Sequence, residues 1–135
     1  MYLNRIALAG TAATLLVLLA AGCSSDNVLG PDNQLEVTNN TDTFQAQTSN
    51  MVDITQTLTY TWQNTGTTAN VDQSGAITGG SGTLLILDAD GSQVYSRSLT
   101  ETGTFVTTAG TTGAWSIEVA LSGTSGTLNF RVQKP

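Results

Sequence analysis

The acidic run Asp88-Ala89-Asp90-Gly91-Ser92 is the stretch whose side chains have the clearest chemical capacity. Two carboxylates this close resemble the opening of a calcium loop, because hard cations are held by clustered carboxylate oxygens. The same residues also suit a hairpin turn, where Asp and Gly supply the backbone angles. A calcium loop continues to a later acidic ligand, whereas Gln93-Val94-Tyr95 resumes a strand pattern. A turn is therefore expected, with calcium at Asp88 and Asp90 as the alternative. Four aromatics, Tyr60, Trp62, Tyr95 and Trp115, form a second group. Aromatic rings can stack on the C–H faces of sugars, or they can fill a core. Tyr60, Trp62 and Trp115 fall on the apolar side of alternating patterns, while Tyr95 shares a face with Arg97 and Leu99. Core packing is expected, and Trp62, Tyr95 and Trp115 are the candidate ligand contacts should any face be open.

Most catalytic chemistry lacks its parts. The chain has no histidine and one cysteine, Cys23. Ser-His-Asp and Cys-His nucleophiles cannot be assembled, and zinc loses its usual ligands. The acids are scattered singly instead of paired as a glycosidase requires. Gly79-Gly80-Ser81-Gly82 has no lysine to make a phosphate loop. No catalytic residue is assigned, and no enzyme is expected. Beyond Arg5 only three basic residues (Arg97, Arg131, Lys134) stand against ten acidic ones. That excludes a phosphate-tracking stripe for nucleic acid and a basic patch for anionic lipid.

The positive segment 1–5 is followed by an apolar stretch, 6–19, interrupted by Gly10, Thr11 and Thr14. It is shorter than the roughly 20 residues that span a bilayer and matches the apolar core of a secretory signal. Ala20-Ala21-Gly22-Cys23 resembles the lipobox of bacterial lipoproteins. The resemblance implies cleavage between Gly22 and Cys23 and covalent lipid, palmitate included, on Cys23. Several acyl chains would make that anchor effectively permanent. Ser24 stands where Asp would be the family's retention signal, which implies the outer membrane in a bacterium that has one. The alternatives are a retained spanning helix, or an ordinary signal peptide that leaves Cys23 a free thiol. The expected organisation is a signal peptide over 1–22, a flexible tether over 23–33 and one domain over 34–135.

That domain carries the signature of an all-β fold. Over 52–63, Val52, Ile54, Leu58, Tyr60 and Trp62 share one face, and Asp53, Thr55, Thr57, Thr59 and Thr61 the other. A two-residue period this long specifies a strand with one dry and one wet face. Trp115, Ile117, Val119 and Leu121 repeat the pattern, and Ser122-Gly123-Thr124-Ser125-Gly126 reads as a reversal into Leu128, Phe130 and Val132. No proline lies between Pro31 and Pro135, so no strand is interrupted. Eight or nine short strands are expected, forming an antiparallel β-sandwich of jelly-roll type.

The runs 83–94, 113–119 and 126–132 are similar to the bacterial pre-peptidase C-terminal domain and related CUB-like jelly rolls. The resemblance implies a non-catalytic accessory module, in some members stabilised by calcium. The expectation is a lipid-anchored binding or structural module of the cell envelope. The alternatives are an outward-facing carbohydrate-binding or adhesive domain and a periplasmic accessory subunit of a larger complex. Edge strands normally carry Lys or Pro against mispairing. This chain has few of either, so edge pairing with a partner or a second copy is also expected.

Overall fold

The computed structural model describes residues 28–30 and 34–135. The expectations on the signal peptide, on Gly22 and Cys23, and on most of the tether lie outside those residues. Among the described residues every regular element is a strand: β1 (Glu36–Asn40), β2 (Thr43–Asn64), β3 (Asn70–Gln73), β4 (Ala76–Leu87), β5 (Gln93–Ser98), β6 (Gly103–Val106) and β7 (Gly113–Gln133). All pairings are antiparallel, in one seven-stranded sheet.

β7 is the centre of that sheet. One edge pairs with β2 from Gly113↔Asn64 to Gln133↔Thr43. The other takes β4 along Ser116–Thr127 and β3 along Phe130–Gln133. β1 extends the sheet beyond the first part of β2, β5 extends it beyond β4, and β6 beyond β3. The sheet is bent across its middle, so its halves lie face to face as a sandwich. The two ends of β2 meet: Asp42 N–H donates to the Gln63 carbonyl at 2.9 Å, and the Phe44 and Tyr60 ring centroids are 5.1 Å apart. One layer holds β1, the start of β2, the end of β7, β3 and β6; the other holds the end of β2, the start of β7, β4 and β5.

The bend is written in the backbone. Register shifts fall between Thr48 and Gln56 of β2 and between Ile77 and Ser81 of β4, opposite residues 121–126 of β7. Extra residues in a ladder bend the strand and sharpen its twist. In β2 they also move the buried set from Phe44, Ala46 and Thr48 to Met51 and then to Ile54 and Trp62. Gly80 has φ +67° and Gly126 φ +117°; a Cβ on Gly80 would fall on the Gly123 carbonyl, and one on Gly126 on that of Ala76. Thr124, fully buried, locks the corner by accepting from Ser122 N–H at 3.0 Å and donating to the Ser81 carbonyl at 2.5 Å. We call this the corner end and the opposite one, where strands start and stop, the open end.

Between the layers lie Phe44, Phe130, Trp62, Trp115, Ile54, Leu84, Ile86 and Ile117, all without solvent exposure. Each such side chain contributes about 1.5–3 kcal/mol on burial. Among the described residues no buried side-chain nitrogen or oxygen lacks a hydrogen-bond partner.

The antiparallel all-β architecture is as expected, but the strand count differs. Among the described residues there are seven strands instead of eight or nine, because β2 and β7 run for 22 and 21 residues. The reversal expected at 122–126 is instead the corner within β7, and its two halves pair with β2, not with each other. The glycine-rich stretch 74–82 also carries strand pairing, from Ala76 onward. Glycine and serine at these places serve close backbone approach at a bulge. Gly126→Ala should lower stability by at least about 2 kcal/mol in urea unfolding, since it adds a backbone clash to the strain of positive φ. Gly91→Ala, at φ +80° with nothing within 4 Å, should cost only the strain, about 1 kcal/mol.

Candidate functional site

At the open end the loops 88–92 and 107–112 are fastened by Asp88. Its Oδ1 accepts from Asp90 N–H at 3.0 Å and Ser92 N–H at 2.9 Å, and its Oδ2 accepts from Thr111 N–H at 2.9 Å. Thr111 Oγ1 in turn donates to Asp90 at 2.5 Å. The Thr111 N–H, then the Ser92 N–H, hold the Asp88 carboxyl below its ordinary range. The side chain is buried, and Gly110 packs so close that a Cβ there would press on Asp88 and Val94. This is turn and loop-capping geometry. A cation at Asp88 and Asp90 would have to displace these N–H donors, and among the described residues no three acidic, histidine or cysteine side chains group together as ligands.

The three candidate ligand contacts are in the core. Trp62 and Trp115 are opposite one another across β2 and β7, edge to face at 5.9 Å, with no exposure. Their indole N–H groups donate to the carbonyls of Asn40 at 3.1 Å and Thr111 at 2.7 Å. Tyr95 is 6% exposed. None of the three offers a ring face to a sugar, because the dry side of each strand is where the layers meet. The sequence feature that favoured a stacking platform is thus committed to packing.

Tyr95 instead anchors a cluster on one lateral edge that sequence reasoning missed. Its hydroxyl donates to Gln73 Oε1 at 2.5 Å, and Gln73 Nε2 donates to the carbonyls of Ser98 at 3.0 Å and Glu101 at 2.8 Å. This ties β3 in one layer to β5 in the other. Burial pushes the Tyr95 phenol up to about 12. Outside it, Arg97 lies 4.0 Å over the Phe105 ring and pairs with Glu101 at 3.1 Å. The readable signal was Gln73 itself, an amide on the dry side of the Ala69, Val71, Gln73 alternation, which obliges a buried partner.

Between β5 and β6 runs an open groove of about 410 Å³, bordered by Tyr95, Ser96, Arg97, Val106 and Thr108. β5 is paired only with β4 and β6 only with β3, so both flanks of the groove are sheet edges. Val106 is 64% exposed, and neither β1 nor β6 contains Lys or Pro. Arg97, the one cation on β5, is held against Phe105 and Glu101. A second groove of about 770 Å³ near the corner end is lined by amides and hydroxyls, among them Gln34, Gln47, Ser49 and Asn129.

Two titrations test these assignments. Asp88 has a depressed folded-state pKa, so its stabilisation is present above the unfolded value near 3.8 and is lost as pH falls through the lower folded value. Thermal melts should therefore show Asp88→Asn less stable than wild type at pH 7, with the difference shrinking by pH 3. Tyr95 has the opposite sign. Its contribution is complete below pH 10 and is lost as pH rises toward about 12. Ultraviolet difference titration should show a tyrosine ionising near 12 that Tyr95→Phe removes, leaving Tyr60, which burial also raises above an ordinary phenol.

No protein-family model matches this chain, and no curated protein matches it.

Proposed function

We propose that this protein is a lipid-anchored, non-enzymatic module of the bacterial cell envelope that binds a protein partner by pairing along its lateral sheet edge. The observation that carries the binding role is the groove between β5 and β6, two strands that each pair with a single neighbour in the sheet; the outer edge of β5 is bridged at Val94 by Thr108 and at Ser98 by Gln73, with Ser96 between them. An extended segment laid there meets the outer edge of β6, which no strand pairs, and the exposed Val106 side chain, the recognition mode of strand addition. The anchor rests on the 6–19 apolar stretch followed by Ala20-Ala21-Gly22-Cys23. The non-enzymatic part rests on the absence of histidine and the commitment of the single cysteine to lipid.

Two measurements on cells test the two halves. Wild type should incorporate labelled palmitate and Cys23→Ala should not; label on the variant would remove the anchor. A photo-crosslinking residue at position 106 should give a discrete protein adduct, and one at Thr59, on the open face of β2, should not. Val106→Lys should compete poorly for that adduct, because a charge on an edge opposes pairing. Adducts of equal yield at 59 and 106 would overturn edge pairing.

A further inference from the structure

The chain enters the domain at the corner end, and that fixes which way the sandwich faces. Leu29 is 5% exposed and packs with the core, while its N–H donates to Gln56 Oε1 at 2.8 Å beside the bulge of β2. Leu35 N–H returns to the Gly30 carbonyl at 3.2 Å, and Ser49 Oγ bonds Gln34 Oε1 at 2.7 Å, both at the same end. Residues 28–30 are therefore part of the domain, although the sequence places them in the tether. Only six residue steps separate Leu29 from Cys23, a reach of at most about 20 Å. From Gln56 at the corner to Asn64 at the open end, eight strand steps cover about 27 Å. A chain fastened at the corner is thus too short to let the open end turn onto the surface that holds Cys23.

The corner also has the chemistry for such contact. Of four large apolar side chains exposed among the described residues, two are here: Val28 at 53% and Val52 at 57%. Around them are Gly79, Gly80, Ser81 and residues 122–125, small and uncharged, with one exposed carboxylate, Asp53, beside Gly123 and Ser125. We infer that the corner end rests on the lipid headgroup layer, with Val28 and Val52 in contact, and that the loops capped by Asp88 face away from the membrane. This inference rests on the lipid-anchor reading and adds an orientation to it. With the Asp53 carboxylate at the corner and no basic residue there, the contact owes nothing to attraction by anionic lipid and rests on the two valines.

The test uses the full lipidated protein in phosphatidylethanolamine–phosphatidylglycerol vesicles. With Cys23 acylated through its sulfur, an engineered cysteine is the sole free thiol and takes a fluorophore uniquely. A nitroxide placed at headgroup depth should quench a label at Val52→Cys at least about twofold and leave one at Ala89→Cys, on the open end, unchanged. Leu29→Ala should reduce that contrast while the protein still floats with the vesicles. Equal quenching at both positions, or none at either, with flotation intact would overturn the orientation and leave the anchor standing. Loss of flotation by the wild type would take down the anchor reading and the orientation with it.

Discussion

The fold depends on a backbone constraint: β2, the paired run from β3 into β4, and β7 must each turn a corner without giving up their place in one sheet. Only then do the two halves of the same strands face each other and exclude water from Trp62, Trp115, Phe44 and Phe130. The corner is where the ladder is irregular, so it is also where backbone groups need other partners. Side chains supply them. Thr124 serves Ser122 and Ser81, Thr55 Oγ1 accepts from Gly123 N–H at 2.9 Å, and Ser125 Oγ accepts from Asp53 N–H at 2.9 Å. The serine, threonine and glycine content that looks like low-complexity filler in the sequence is here a set of short-range substitutes for missing ladder bonds.

Charge plays a different part. Each basic residue among the described residues sits in an exposed ion pair: Arg97 with Glu101, Arg131 with Asp72 at 2.8 Å, and Lys134 with Asp42 at 3.5 Å. Pairs of this kind add little to stability, because solvent screens them. What they do is local fastening. Arg131 joins β7 to β3, and Thr104 of β6 donates to the same Asp72 at 2.7 Å. Lys134 and Asp42 close the open end together with Thr65, whose N–H and hydroxyl both donate to Asp42 at 2.7 Å. Thr65 and Lys134 hold the Asp42 carboxyl below its usual range, as Thr104 and Arg131 hold that of Asp72. The cations are spent internally, which leaves the outer surface to hydroxyls, amides and unpaired acids.

Much of this was legible from residue order. The alternation in 54–62 and 115–121 located two of the strand halves and their dry faces, and the turn at Asp88 follows from Asp and Gly chemistry alone; Val52, read onto the same dry face, is instead 57% exposed because the register shifts on either side of Ile54 turn it outward. Continuity through Gly123 and Gly126 was not legible, because the same residues make a tight reversal or a bulge, and only the strand alongside decides between them. Tyr95 was ambiguous for a related reason. It lies next to Val94, and both are buried, so the two-residue period breaks at the place where β5 shifts register against Leu87. Its partner Gln73 lies 22 residues away in the other layer, a separation no local pattern encodes.

The central place of β7 sets the order in which this molecule can come into being. In the sheet, β2, β3 and β4 have no pairing with one another and meet only through β7, which follows all of them in the sequence. A nascent chain that stops before residue 113 holds its edges in small pairs, β1 with β2, β3 with β6 and β4 with β5, and has no common sheet on which to assemble them. Such a chain stays open until its carboxyl-terminal segment arrives. Contacts between distant parts of the sequence then close together, which makes folding slow, and makes a truncation before residue 113 a loss of the common sheet instead of one edge.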